Sequence, residues 1–299
     1  MAAKRGNVKL NFLRSVPVLS EPKGAPNPVA RRAFLKLSAA LTGGLALAGA
    51  KAADKAGGAG PASPPADPAW SQSMGAGVDD RPYGRPSDFE KSVIRRNVPW
   101  LTATTQSSVS FTPLQDLNGI ITPNGLFFER HHSGRADIDP DQHRLMIHGM
   151  VERPLVLTMN DIVRFPSPSR IYFLECAENG GMEWRGAQLN SLQFTHGMVS
   201  CAEWTGVKLS TLLDEVGIKK DAKWVLAEGA DGAHMTRSIP LGKCLDDCLV
   251  VYAQNGEALR PEQGYPLRLI VPGWEGNINI KWLRRLKIGD KPWYTREET

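Results

Sequence analysis

Ile171-Tyr172-Phe173-Leu174-Glu175-Cys176-Ala177-Glu178-Asn179-Gly180-Gly181 reads as a buried apolar strand that ends on a cysteine and runs into a loop of small residues and glycines. A thiolate at a strand end is held rigidly, and the glycines leave room for a bulky group to approach the sulfur. That setting suits a soft metal ligand or a nucleophile. Taken alone, the segment favours a plain core cysteine, because cysteine is among the most buried residue types. The decision passes to its surroundings.

Those surroundings are a run of short strands: Arg144 to His148, Leu155 to Leu157, Arg170 to Leu174, Trp224 to Ala227, Leu249 to Tyr252, Leu267 to Val271 and Ile280 to Leu286. Asn255-Gly256 marks a tight turn. The helices are short. Thr158-x-x-Asp161 starts one that ends near Phe165, and Ser210 caps Leu212, Leu213 and Val216 before Gly217 stops it. The compact body thus begins near Gly119, and it is α+β and strand-rich, without the regular βαβ alternation of a nucleotide-binding sheet. It carries no Gly-x-Gly-x-x-Gly, phosphate loop or internal repeat.

Toward the N-terminus, Arg31-Arg32-Ala33-Phe34-Leu35-Lys36 precedes a small-apolar stretch that closes on Ala48-Gly49-Ala50. Residues 1–53 have the pattern of a twin-arginine export signal, which sends folded proteins, commonly with a cofactor already inserted, into the bacterial periplasm. Thr42, Gly43, Gly44 and Gly49 make the stretch too weakly apolar to anchor the chain in a membrane. Residues 54–78, rich in Ala, Gly and Pro, read as a flexible linker, and 79–118 as an extended arm lying over the body. The leader holds nine Lys or Arg against one acid, whereas the whole chain holds 36 against 31, so the rest is slightly acidic. Nucleic-acid binding thereby loses its electrostatic basis. Four cysteines, Cys176, Cys201, Cys244 and Cys248, with no Cys-x-x-Cys pair, do not make a disulfide scaffold.

Two further segments raise Cys176 above a core cysteine. Phe127-Phe128-Glu129-Arg130-His131-His132 sets an arginine and two histidines after an aromatic pair. Gln263-Gly264-Tyr265-Pro266-Leu267-Arg268 leads to Pro272-Gly273-Trp274 and then to Asn279-Ile280-Lys281-Trp282. With Cys-Ala-x-Asn, Cys201-Ala202-Glu203-Trp204-Thr205-Gly206 and Glu228-Gly229-Ala230-Asp231, in this order, the chain from about Gly119 to Ile288 resembles the molybdopterin domain of the sulfite oxidase family.

The resemblance implies a Mo-molybdopterin cofactor with Cys176 as the protein's thiolate ligand to the metal. It implies Arg130 facing the metal, and Phe128, His132 and Asp231 against the pterin. Gln263, Arg268, Asn279, Ile280 and Lys281 would hold the pterin and its phosphate, Arg268 by a fork suited to phosphate. His131 stands where the family usually has asparagine, and Gln263 and Asn279 replace histidines. Cys201, Cys244 and Cys248 match no ligand. The family's paired arginines after the cysteine loop are replaced by Glu178 to Met182, which is similar to the branch that oxidises sulfane sulfur carried on a partner protein.

The activity that the resemblance implies is oxygen-atom transfer to reduced sulfur, either carrier-bound sulfane sulfur or sulfite. The sulfur-carrier protein would be the substrate, and the electrons would go to a separate c-type cytochrome, since the chain has no Cys-x-x-Cys-His. Two alternatives stand beside it: a methionine sulfoxide reductase of the same cofactor class, and a non-catalytic paralogue. The second draws on the chain's end at Thr299, where residues 291–299 read as a truncated connector, before the family's tyrosine and immunoglobulin-like dimerisation domain.

Overall fold

The computed structural model describes residues 88–295, except 100, 103, 105, 185 and 187–191. The export signal, the linker and the start of the arm lie outside the described residues. In chain order the first strands are β1 (Arg96–Asn97), β2 (Ser108–Phe111), β3 (Glu129–His131), β4 (Leu145–Gly149), β5 (Leu155–Leu157), β6 (Ser169–Glu175) and β7 (Val199–Lys208). They are followed by β8 (Trp224–Gly229), β9 (Thr236–Pro240), β10 (Leu249–Gln254), β11 (Glu257–Ala258), β12 (Arg268–Ile270) and β13 (Leu283–Gly289). Four short helices, α1 (Met159–Ile162), α2 (Leu192–Thr195), α3 (Leu209–Val216) and α4 (Leu241–Asp246), complete the strand-rich α+β body expected from the sequence. None of the described helices is long and apolar enough to cross a membrane.

The strands form three sheets, ordered β1-β2-β3, β11-β10-β7-β6 with β12 also on β10, and β5-β4-β13-β8-β9. Among the described residues β4 and β13 run parallel and the other pairings are antiparallel. The centre of the middle sheet is covered on both faces, whereas β6 forms its edge and, against the buried strand expected from the sequence, leaves Ile171 and Phe173 exposed. Val207, Val250 and Leu269 point into a core shared with Leu209, Leu212, Leu213 and Val216 of α3 and with Leu145, Ile147, Val225 and Leu286 of the third sheet. Leu174, Ala202, Trp204, Val251 and Ile270 face a second core that holds Phe111, Phe127 and Phe128. Trp204 meets Phe127 edge-on, with ring centroids 5.6 Å apart.

Local signals explain most boundaries. Thr158 accepts the Asp161 N–H at 3.1 Å while the Asp161 carboxylate takes the Thr158 N–H at 2.9 Å, a reciprocal cap that starts α1. The helix ends at Ile162, and turn bonds from Arg164 N–H to Asp161 O and from Phe165 N–H to Ile162 O carry the chain on to Phe165. Asn255 and Gly256 both have positive φ, 51° and 79°, and join β10 to β11 as a two-residue hairpin turn. Ser210 does not cap α3: Lys208 occupies that place, with no side-chain hydrogen bond, and Ser210 lies inside the helix. The last strand starts at Leu283 instead of Ile280, because Trp282 adopts φ 53° and breaks the extended backbone. The arm gives β1 and β2, and β2 pairs with β3 in the register Val109 to Arg130 and Ser108 to His131.

Candidate active site

Cys176 follows directly on β6. Its N–H donates to Met198 O at 3.0 Å, and its carbonyl accepts from Asn179 N–H at 2.9 Å. The Asn179 amide clasps the loop shut, donating to Glu175 Oε1 at 2.9 Å and accepting from Met198 N–H at 3.0 Å. The sulfur is therefore fixed by backbone on both sides. Burial pushes its thiol up, against a hydrogen bond from the Glu178 backbone that favours the anion, so a bound cation would be needed to hold the sulfur as a thiolate.

β3 with its flanking residues, the turn between β8 and β9, and the two segments after β11 bring the remaining residues to the same place. Phe128 is tied down by its N–H to Ser200 Oγ at 3.1 Å. Arg130 donates from one terminal nitrogen to His131 O at 3.0 Å, while its Nε is buried without a partner. Gln263 donates to Phe128 O at 2.9 Å and accepts from Arg268 at the same distance, and Arg268 also lies over the Trp204 ring. The Nε of Arg268 is likewise buried and unpartnered. Asn279 spends its amide on the backbone, accepting from Val271 N–H at 2.7 Å and donating to Trp274 O and Glu275 O. It shapes the loop, and Ile280 beside it packs in the core. Asp231 accepts the Met235 N–H at 2.9 Å, closing a turn.

Lys281 is partly exposed as a whole residue, but its ammonium is enclosed, bonded to Arg130 O, His131 Nδ1 and Glu262 O at 3.0 to 3.1 Å. The chain can pass so close only because residue 264 is glycine, with φ 106°: a Cβ there would stand 2.9 Å from Lys281 Cα.

All eleven residues singled out in the sequence line one cleft of about 740 Å³, counting the solvent at its mouth: Phe128, Arg130, His131, His132, Cys176, Asp231, Gln263, Arg268, Asn279, Ile280 and Lys281. Sequence reasoning missed Met235, Asn277 and Trp282 on its walls. Trp282 was legible as the end of the Asn279-Ile280-Lys281-Trp282 run. Met235 sits in a loop and Asn277 in the single 3-10 turn Gly276–Ile278, whose course no local pattern gives.

The donor set fits a large anionic cofactor. Neither Arg268 nor Lys281 has a carboxylate within ion-pair distance among the described residues. Burial pushes the guanidinium of Arg268 down to about 9 and the ammonium of Lys281 down to about 7, with Arg268 adding to the second shift. Two buried cations without an ion-pair partner on one cavity wall are costly until an anion joins them. Among the described residues no group of three His, Cys, Asp or Glu could hold a bare ion. Cys176 is the one thiol lining the cleft among the described residues, so the other donors to a metal would come chiefly with the cofactor.

Comparison with known proteins agrees. The family described as "Oxidoreductase molybdopterin binding domain" matches residues 132–296, and the chain belongs to it. It is 37% identical over 195 residues to nitrate reductase [NADH] of Ulva prolifera, covering 59% of this chain and 22% of that protein. It is 31% identical over 210 residues to mitochondrial sulfite oxidase of Rattus norvegicus, covering 66% and 38%. The crystal structure of the sulfane dehydrogenase SoxCD from Paracoccus pantotrophus superposes with TM-score 0.73 at 53% identity, over 77% of this chain and 59% of that one. The chain thus spans about a fifth to two fifths of these curated relatives. It is a molybdopterin oxidoreductase of the sulfite oxidase family, and molybdopterin is its cofactor.

Proposed function

We propose that this chain is the molybdenum subunit of a periplasmic sulfur dehydrogenase, which oxidises sulfane sulfur presented as a persulfide on a carrier protein and passes the electrons to a c-type cytochrome. The observation that carries this reading is the mouth beside Cys176. The loop Ala177-Glu178-Asn179-Gly180-Gly181 contains no Arg or Lys, Glu178 is exposed there, and its charge bears on both the Cys176 thiol and His132. Such a mouth grips a small free oxyanion poorly. A persulfide on a peptide arm brings its own backbone contacts and needs less clamping. Similarity to the SoxCD sulfane dehydrogenase supports the same reading, and the twin-arginine leader supports the periplasm.

When bound, the cofactor supplies oxygen-atom transfer with a two-electron change at the metal. The residues do the rest. Cys176 offers its sulfur from a rigid strand end, Arg130 stabilises negative charge developing on the substrate's sulfur oxygens, and Phe128 and Gln263 wall the pterin side. Arg268 and Lys281 balance the cofactor's negative end.

The test uses periplasmic enzyme. A persulfidated carrier peptide should reduce added cytochrome c at least about tenfold faster than sulfite at equal concentration, a gap of about 1.4 kcal/mol in barrier. Cys176→Ser should lower that rate by at least about 100-fold without unfolding the protein, since an alkoxide is a harder and weaker donor. Arg31→Lys with Arg32→Lys should empty the periplasmic pool. Faster turnover of sulfite, or reduction of a methionine sulfoxide peptide by a chemical electron donor in place of persulfide oxidation, overturns the assignment.

A further inference from the structure

Neither Glu129 nor Arg95 lines the cofactor cleft, yet both are linked to it through His131. The His131 ring is buried between two partners: Nδ1 lies 3.0 Å from the Lys281 ammonium, and Nε2 lies 2.9 Å from Glu129 Oε2. An ammonium has only hydrogens to give, so Nδ1 is the acceptor and Nε2 carries the hydrogen donated to Glu129. The other oxygen of Glu129 is paired with Arg95 in the arm, whose guanidinium also donates to Phe127 O. Of the three acceptors around Lys281, two are backbone carbonyls, and His131 alone has a charged group behind it. His131 and Gly134 also line an open cleft on the arm side, so the ring forms the partition between the cofactor cavity and solvent.

We propose that Arg95, Glu129 and His131 are positioning residues that fix the Lys281 ammonium in the cavity wall as a positive charge for the cofactor's phosphate end, so that the N-terminal arm takes part in retaining the cofactor. The inference rests on Lys281 serving as one of the cofactor's cationic anchors. Its electrostatics agree. Burial and Lys281 hold His131 well below the usual histidine range, at about 4, so the ring stays neutral and does not repel the ammonium. Among the carboxylates that favour the charged form of Lys281, Glu129 acts most strongly, ahead of Asp231 and Glu262. A carboxylate behind an imidazole fixes its tautomer and makes the far nitrogen a better acceptor.

The experiment tracks cofactor loss from diluted holoenzyme by the fluorescence of released pterin, with thermal unfolding of each variant in parallel. Glu129→Gln keeps the shape and an acceptor for His131 but removes the charge; it should release the cofactor about tenfold faster, in the range found for residues that orient a ligand from behind. Arg95→Met should act in the same direction with a smaller effect. Lys281→Met should release at least as fast as Glu129→Gln. In a His131→Asn background, where an acceptor for Lys281 remains but the link to Glu129 is cut, Glu129→Gln should add nothing. Wild-type release from both Glu129→Gln and Arg95→Met, with fast release from Lys281→Met, overturns the relay and leaves the anchor standing. Wild-type release from Lys281→Met removes the anchor itself. An undiminished effect of Glu129→Gln in the His131→Asn background overturns transmission through the ring.

Discussion

At the scale of single residues, the cleft is assembled from charges that fold at a cost and are balanced by what they bind. Lys281 shows the sign of this. Its ordinary pKa of 10.5 falls to about 7 in the folded protein, chiefly by burial. Between those values the unfolded chain binds more protons than the folded one, so stability rises as pH rises through that window. Below about 7 both states carry the charge, and the burial penalty is present in full. Cofactor-free protein should therefore gain on the order of a few kcal/mol from pH 7 to pH 10, read as a rising denaturant midpoint. Lys281→Met should flatten the rise, and bound cofactor should also flatten it by supplying the anion. An unchanged slope in Lys281→Met would show that another group sets it. The residue types at these positions were legible because phosphate and pterin recognition needs specific donors. What the sequence could not give is how each amide is spent: Asn279 and Asp231 line the cleft while hydrogen-bonding to their own loops.

At the scale of elements, legibility followed the bulk of the apolar side chains, exposed as well as buried. β6, β10 and β8 present Leu, Val and Tyr in runs that announce a strand. β7 is the longest strand, yet its buried positions before Val207 are Ser200, Ala202, Trp204 and Gly206. With so little apolar bulk its period of two is hidden, although it is the partner along which the whole of β6, and so Cys176, is registered. β3 was hidden for a different reason, since Glu129, Arg130 and His131 read as site residues and not as a strand. Where side-chain chemistry acts on the backbone locally, the reading was direct, as at the reciprocal cap of α1. Thr158→Ala should cost about 1 kcal/mol, visible as a lower denaturant midpoint with unchanged slope, and the pterin content should stay the same. A loss of pterin in that variant would mean that α1 communicates with the cleft.

At the scale of the whole molecule, the cofactor cleft depends on chain that precedes its own motifs. The sequence pattern sets the compact body near Gly119, and the family match begins at residue 132, but β3 is the edge of a sheet whose other strands come from the arm. Val98, Val109 and Phe111 of the arm are buried in the same core as Phe127, Phe128 and Trp204. Thr112 is joined to the start of β7 by its N–H to Gly197 O and its hydroxyl to Ser200 Oγ. Burial of a large apolar side chain contributes about 1.5–3 kcal/mol, so losing three of them removes a sizeable part of a typical domain stability of about 5–15 kcal/mol. The strand left unpaired would be the one that carries Arg130 and His131. A chain starting at Gly119 should therefore unfold at markedly lower temperature than one starting at Gly77, and it should retain less than about a tenth of the pterin, a shift of about 1.4 kcal/mol in binding. Pterin fluorescence after denaturation and a thermal scan of the two chains make the comparison. Equal pterin content and equal midpoints would mean that the arm only lies over the body and that the cleft is complete without it.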